Sequence, residues 1–103
     1  MNVAIDYDNT YTLDPVAWDK IINILLKSNH KVYCVTKRYE AIAQDIRDAL
    51  DIPIIYALKS KLEAVQSEGL HIDIWIDDKP HSITPYNALR QAHNPFKYNK
   101  WNR

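Results

Sequence analysis

The chain begins with a short apolar run that stops at two aspartates, and this feature restricts how the chain can fold. Residues 3–5 are Val-Ala-Ile, and Asp6 and Asp8 follow with one residue between them. Alternate side chains of a strand share a face, so the two carboxylates are expected to point the same way. Like charges at that spacing repel each other unless a proton, a cation or a basic group neutralises them. The pattern predicts a buried strand with a site for Mg²⁺ and phosphate at its carboxyl end, where α/β folds bind ligands.

The composition restricts the class of protein. A length of 103 residues predicts one domain with a modest core. The 13 basic and 13 acidic residues cancel, so the overall charge indicates neither a nucleic-acid nor a membrane partner. The single cysteine, Cys34, excludes an intramolecular disulfide and fits a reducing compartment. The start lacks the pattern of a signal peptide and no apolar stretch has transmembrane length, so we expect a cytoplasmic protein.

Glycine is almost absent from the chain. The only one is Gly69. A P-loop and a dinucleotide-binding fingerprint each need several glycines, so both are excluded. Any phosphate chemistry therefore depends on carboxylates, a hydroxyl group, a lysine and a metal ion.

Strand and helix patterns alternate along the chain. Helix-start signals occur at Asp14-Pro15, at Ser60 and at Thr84-Pro85. This alternation predicts right-handed crossovers and a parallel sheet with helices on both faces. The predicted strands are residues 2–6, 31–35, 52–56 and 72–76, and the predicted helices are residues 15–27, 39–50, 61–67 and 85–92.

Polar residues stand where the predicted strands end. They are two aspartates after the first strand, a threonine after the second, a lysine that opens the third helix and two aspartates after the fourth strand. The carboxyl ends of parallel strands share one edge of a sheet, so we expect these groups to converge. They are Asp6, Asp8, Thr36, Lys61, Asp77 and Asp78.

The order of these residues resembles the four motifs of the haloacid dehalogenase (HAD) superfamily of phosphohydrolases. The first motif, an apolar strand and Asp-x-Asp-x-Thr, matches residues 4–10. The second, a strand ending in Ser or Thr, matches residues 32–36, and the third, a lysine opening a helix, matches Lys61. The fourth, a strand ending in paired acids, matches residues 74–78. The first and fourth motifs are specific in this order, whereas the other two are weak alone.

The resemblance covers about residues 2–80 and implies a fold. It implies a Rossmann-like three-layer α/β sandwich with a sheet of about four strands in the order 4-1-2-3. We expect a catalytic domain at residues 1–93 and a polar, mildly basic tail at residues 94–103. Only residues 9–13 and 57–60 occupy the two places where such enzymes insert a cap domain, so the protein is expected to be of the minimal, capless type.

The resemblance also implies chemical roles for the acidic residues. Asp6 would be the nucleophile that forms an aspartyl-phosphate, and Asp8 would be the general acid and base. Mg²⁺ would be held by Asp6, by the backbone carbonyl of Asp8 and by Asp77 with Asp78 nearby. The competing interpretation of an Asp-x-Asp after a strand is a turn or a helix cap.

Four further residues are expected to contact the substrate phosphate or balance its charge. Thr36 would donate a hydrogen bond to a phosphoryl oxygen, and Thr10 belongs to the same phosphate-binding group. Lys61 would balance charge in the transition state, with Lys59 as a rival for that role. Arg38 reaches the phosphate or else makes a surface ion pair.

The expected function is therefore a Mg²⁺-dependent phosphomonoester hydrolase with an open site. An open site suits a phosphorylated protein, a nucleic-acid end or a partner subunit that acts as a lid. The related alternative is a polynucleotide 3′-phosphatase or nucleotidase, and the tail, which interleaves aromatic and basic residues, suits single-stranded nucleic acid unless it is packed or disordered. Alternatives from a different class are a phosphoreceiver and a non-catalytic phosphate-binding module. The first of these is disfavoured because the third predicted strand ends in Tyr56-Ala57 rather than in an acid.

Overall fold

Strands and helices alternate in residues 1–85, which are the residues that the computed structural model describes. The helix predicted at residues 85–92 and the tail at 94–103 lie outside the described residues, apart from Pro85. Short 3-10 turns lie between β1 and α1 (Tyr11–Leu13), between β2 and α2 (Glu40–Ile42) and after β4 (Pro80–Ser82). The elements are β1 (Asn2–Ile5), α1 (Pro15–Lys27), β2 (Lys31–Thr36), α2 (Gln44–Ala49), β3 (Ile54–Tyr56), α3 (Lys61–Ser67) and β4 (Ile74–Ile76).

The four strands form one sheet in which every pairing is parallel. Their order is β3-β2-β1-β4, which is 4-1-2-3 when counted from the opposite edge. In the register, Val3 of β1 lies beside Val32 of β2 and Ile74 of β4. The predicted α/β architecture with an all-parallel sheet is confirmed, and the carboxyl ends of all four strands lie at one edge.

The apolar core is divided into two clusters. Ile5 of β1 packs in a cluster with Ile22 of α1 and Ile46 of α2. Its neighbour Ala4 belongs to a second cluster with Val65 of α3. Successive residues of a strand point to opposite faces, so the sheet has an apolar cluster on each side.

Local signals set the ends of α1. The Asp14 carboxylate accepts a hydrogen bond from the Ala17 N–H, and Pro15 is the first helical residue, as predicted. At the other end, Asn29 has a φ of 65°. The Asn29 N–H donates to the Leu26 carbonyl and the His30 N–H donates to the Leu25 carbonyl. This is a Schellman motif, which Asn can complete because it tolerates the left-handed conformation.

The ends of α3 are equally well specified. Ser60 accepts the Glu63 N–H, and the Glu63 carboxylate accepts the Ser60 N–H, which completes a capping box. Gly69 has a φ of +71°, and its N–H donates to the Gln66 carbonyl while the Leu70 N–H donates to the Val65 carbonyl. The helix occupies the residues that the sequence predicted. The side chain of Lys61 therefore projects from the first turn of α3.

The second helix is shorter than predicted. Residues 40–42 form a 3-10 turn, and the α-helix begins only at Gln44. The Glu40 carbonyl accepts from the Arg47 side chain and the Ile42 carbonyl accepts from the Arg38 side chain. Both carbonyls lie before the first residue of α2, and the Glu40 carbonyl also accepts the Ala43 N–H, which is the bond of a 3-10 turn. The strands predicted at 52–56 and 72–76 are likewise shorter, with three residues each, and both lie at edges of the sheet.

The capping box of α3 predicts a measurable loss of stability on removal. Ser60→Ala is expected to lower the free energy of unfolding by about 1 kcal/mol, because the Glu63 N–H loses its acceptor. Denaturant unfolding measures this value. Ser67→Ala in the same helix is the matched control, since Ser67 is exposed and its change is expected to stay within about 0.5 kcal/mol. Equal losses in the two variants would contradict the assignment.

Candidate active site

A buried lysine lies between two aspartates at the carboxyl edge of the sheet. The Lys61 Nζ is 2.9 Å from Oδ1 of Asp6, after β1, and 2.6 Å from Oδ2 of Asp77, after β4. The Lys61 side chain is 2% exposed. Lys59 is exposed, and its carbonyl accepts a hydrogen bond from the Lys37 side chain. Of the two lysines considered, Lys61 is therefore the one at the carboxylates.

A third carboxylate joins this group through Thr10. The Thr10 Oγ1 is 3.4 Å from Oδ2 of Asp6 and 3.4 Å from Oδ1 of Asp78. The same hydroxyl accepts the backbone N–H of Asp78 at 3.2 Å. Thr10 is buried, so it braces the loop after β1 against the loop after β4. This contact brings the first and the fourth motifs together.

Burial dominates the electrostatics of Asp6. It raises the pKa of this carboxyl to about 6, while Lys61 opposes the shift, and Asp78 and Asp77 add to it. Hydrogen bonding with Asp6 lowers the pKa of Asp78. Three acids and one lysine leave an excess of negative charge, and a proton on Asp6 relieves it. A cation near these groups would relieve the same excess.

The donor set of this cluster fits a magnesium ion. Asp6, Asp77 and Asp78 each offer a carboxylate oxygen, and these oxygens lie within 4.8 Å of one another. Mg²⁺ prefers oxygen ligands, and water fills the coordination positions that the protein leaves open. The side chain of Asp8, which the sequence also nominated, is outside this cluster. Its expected contribution through the backbone carbonyl stays a prediction.

Asp8 is instead paired with Arg38. The Arg38 Nε donates to Oδ2 of Asp8 at 2.9 Å, and Nη2 donates to Oδ1 at 2.8 Å. Strand β1 ends at Ile5. Asp6 directly follows it and its N–H donates to the Ile76 carbonyl of β4, whereas Asp8 lies in the turn after it. Tyr7, between them, is buried against Tyr11 with ring centroids 5.5 Å apart. The two acids therefore have different basic partners while lining the same cavity.

Thr36 ends β2 beside these groups. It is buried, and its hydroxyl oxygen accepts the backbone N–H of Arg38 at 3.2 Å. The hydroxyl proton is thereby left to serve as a donor. This arrangement suits the predicted contact with a phosphoryl oxygen.

A cavity of about 380 Å³ joins the predicted residues. Its lining includes seven of the residues that the sequence predicted for the site. Thr10, also predicted, is not part of the lining. The sequence analysis missed the other wall residues, although Lys37 and Lys79 directly follow the nominated Thr36 and Asp78. The nominated lining residues are Asp6, Asp8, Thr36, Arg38, Lys61, Asp77 and Asp78, and the others are Asn9, Lys37, Tyr39, Ile42, Lys79 and Ser82.

Comparisons with known proteins do not assign the chain to a family. No protein-family model matches it, and neither the curated proteins nor the solved structures gave a match. Among residues 1–85, none of the helices has the length and apolar character needed to cross a membrane.

The raised pKa of Asp6 predicts how stability depends on pH when no divalent cation is present. Since the folded protein binds this proton more tightly than the unfolded chain, the contribution is complete below pH 3.8 and is lost as the pH rises through about 6. In EDTA, Asp6→Asn is therefore expected to raise the free energy of unfolding at pH 8 by on the order of 1–3 kcal/mol. At pH 4 the variant and the wild type should differ little.

Urea unfolding at the two pH values checks this expectation. Asp51→Asn is the control, because Asp51 is exposed and is not among the residues that line the cavity. A variant at Asp6 that is less stable than the wild type at pH 8 would show that the negative charge of Asp6 stabilises the fold.

Proposed function

We propose that the protein is a Mg²⁺-dependent phosphomonoester hydrolase that acts through an aspartyl-phosphate, and that it has the minimal, capless architecture of the HAD-like phosphohydrolases. The observation that carries this proposal is the cluster of Asp6, Asp77 and Asp78 around the buried Lys61 at the carboxyl edge of a parallel sheet. Apolar clusters on both sides of that sheet support a Rossmann-like three-layer sandwich. The single cysteine, which cannot form an intramolecular disulfide, supports a reducing, cytoplasmic location.

In the proposed reaction, Asp6 attacks the phosphorus atom and Asp8 moves the protons. Lys61 donates to Oδ1 of Asp6, and Oδ2, which the Thr10 hydroxyl contacts at 3.4 Å, is the oxygen proposed to attack. Asp8 gives a proton to the leaving oxygen and later takes one from the attacking water. The Thr36 hydroxyl and the Lys61 ammonium are within the same cavity and would stabilise the charge that develops on phosphoryl oxygens.

The magnesium ion would be held by Asp6, Asp77 and Asp78. When bound, it supplies the positive charge that lets an anionic nucleophile approach an anionic phosphate. Two of these acids are already anchored without it. The Asp77 Oδ1 accepts the Lys79 N–H at 2.8 Å, and the Asp78 backbone is tied to Thr10. Their oxygens are therefore held close together before a ligand arrives.

The short connections around the site support an open active site. One 3-10 turn lies between β1 and α1, and only residues 57–60 lie between β3 and α3. Neither connection has room for a cap domain. We therefore propose a phosphorylated macromolecule or a nucleotide as substrate, or a partner subunit as the lid.

The cavity rim favours a second, narrower candidate, a polynucleotide 3′-phosphatase or nucleotidase. Lys37 and Lys79 line the cavity and supply positive charge beside the acidic cluster. Tyr39 lines it as well and is 64% exposed, which leaves its ring available for stacking on a base. A panel of nucleotides, 3′-phosphorylated oligonucleotides and phosphopeptides tests this candidate. Faster hydrolysis of phosphopeptides than of both nucleotide classes would exclude it.

The central prediction concerns Asp6. The purified protein is expected to hydrolyse an aryl phosphate in Mg²⁺ and to lose this activity in EDTA. Asp6→Asn should lower kcat by about a thousandfold or more, because the amide is a poor nucleophile. A steady-state phosphatase assay measures both effects.

Two controls make this prediction decisive. Asp51→Asn changes an exposed carboxylate outside the cavity and should keep wild-type activity. Circular dichroism and an unfolding curve should show that Asp6→Asn is folded. Full activity in a folded Asp6→Asn protein would exclude the proposed mechanism.

A further inference from the structure

Every N–H group of the Arg38 side chain already has a protein acceptor. A guanidinium has five such groups. Nε and Nη2 donate to the two oxygens of Asp8 at 2.9 and 2.8 Å. Nη1 and Nη2 donate to the two oxygens of Asp45, each at 3.0 Å, and Nη1 also donates to the Ile42 carbonyl at 3.2 Å. No donor of Arg38 remains for a substrate phosphate unless one of these bonds breaks.

The surroundings of Arg38 fix the guanidinium in place. Its charged carbon lies 5.9 Å from the centroid of the buried Tyr7 ring, within the range of a cation–π contact. Its backbone N–H is bonded to Thr36. Asp45 lies in the first turn of α2 and does not line the cavity. A substitution of Asp45 is therefore expected to affect the cavity through Arg38, which lines it.

Asp8 depends on this arrangement for its orientation. Its side chain is 45% exposed on a turn, and within residues 1–85 its hydrogen bonds are the two from Arg38. A carboxylate has about four acceptor positions, so Arg38 leaves one on each oxygen for a proton. A group that is held in one orientation transfers a proton more efficiently than one that rotates, because less orientational freedom has to be lost in the transition state.

We propose that Arg38 and Asp45 are positioning residues that hold the Asp8 carboxyl for proton transfer, and that Arg38 does not bind the substrate phosphate. This inference rests on the proposed phosphatase function. In the first step, the Asp8 proton passes to the leaving oxygen while the bond from Asp6 to phosphorus forms and the bond to the leaving oxygen breaks. In the second, water attacks phosphorus, the bond to Asp6 breaks and the water proton returns to Asp8.

The test compares two aryl substrates that differ in their need for the acid. p-Nitrophenyl phosphate releases a stable anion and needs little protonation, whereas phenyl phosphate releases a more basic oxygen and needs more. The constant to measure is kcat/KM, which covers all steps through departure of the leaving group. Asp45→Asn weakens the hold on Arg38 without removing a residue from the cavity wall.

Asp48→Asn is the matched control, because Asp48 is exposed on the same helix and its side chain accepts from Gln44. We expect Asp45→Asn to lower kcat/KM about tenfold or more for phenyl phosphate and by less than about threefold for p-nitrophenyl phosphate. The control should leave both values unchanged. Melting curves of both variants identify any loss of activity that arises from unfolding. If Asp45→Asn does not fold, Arg38→Lys replaces it in the test, because a lysine cannot make the two-bonded contact with Asp8.

Two results would overturn this inference. Equal losses with both substrates, arising in KM, would mean that Arg38 binds the phosphate. Unchanged kinetics in folded Asp45→Asn and Arg38→Lys would mean that the contact with Asp8 has no part in proton transfer. Failure of the proposed function is distinct from both, because it would leave the wild-type protein without Mg²⁺-dependent activity on either substrate.

Discussion

The buried ammonium group of Lys61 is the contact on which the carboxyl edge of the sheet depends. It joins the first turn of α3 to the ends of β1 and β4, through Asp6 and Asp77. Taking a charged lysine out of water has a large cost, which its two carboxylate partners offset. The carboxylates in turn exceed the lysine in number, so the cluster keeps a negative charge. That excess makes the same contact both a constraint on the fold and the basis of the proposed cation site.

The two aspartates of the first motif differ in chemistry because they differ in environment. Asp6 is buried beside Lys61, and burial raises the pKa of its carboxyl to about 6. Asp8 is half exposed and paired with Arg38. Two residues of one type therefore acquire separate properties, which match the proposed roles of nucleophile and proton carrier. The stability cost that the raised pKa predicts for Asp6 agrees with the general conflict between catalytic sites and fold stability, as expected for the proposed nucleophile.

Much of the fold follows from local patterns in the chain. Asp14-Pro15 starts α1, and Ser60 with Glu63 starts α3, because these side chains bond to the backbone of their own helix. The apolar runs predicted the four strands, and their parallel pairing followed from the alternation with helices. The second helix was predicted too long, since residues 40–42 form a 3-10 turn in which the carbonyls of residues 40 and 42 also accept from two arginine side chains. Such contacts depend on rotamers and neighbouring loops, which periodicity does not report.

By itself, the sequence determined the parallel α/β class, the starts of α1 and α3 and the acidic residues at the strand ends, since each depends on neighbours in the chain or on a strict period. Only the tertiary structure decided which of these groups touch. It placed Lys61 rather than Lys59 between Asp6 and Asp77. It also paired Arg38 with Asp8 and Asp45 through salt bridges. The physical reason is that ion pairing is set by distance and burial. Residues 55 positions apart, such as Asp6 and Lys61, acquire both only when the sheet and the helix pack together.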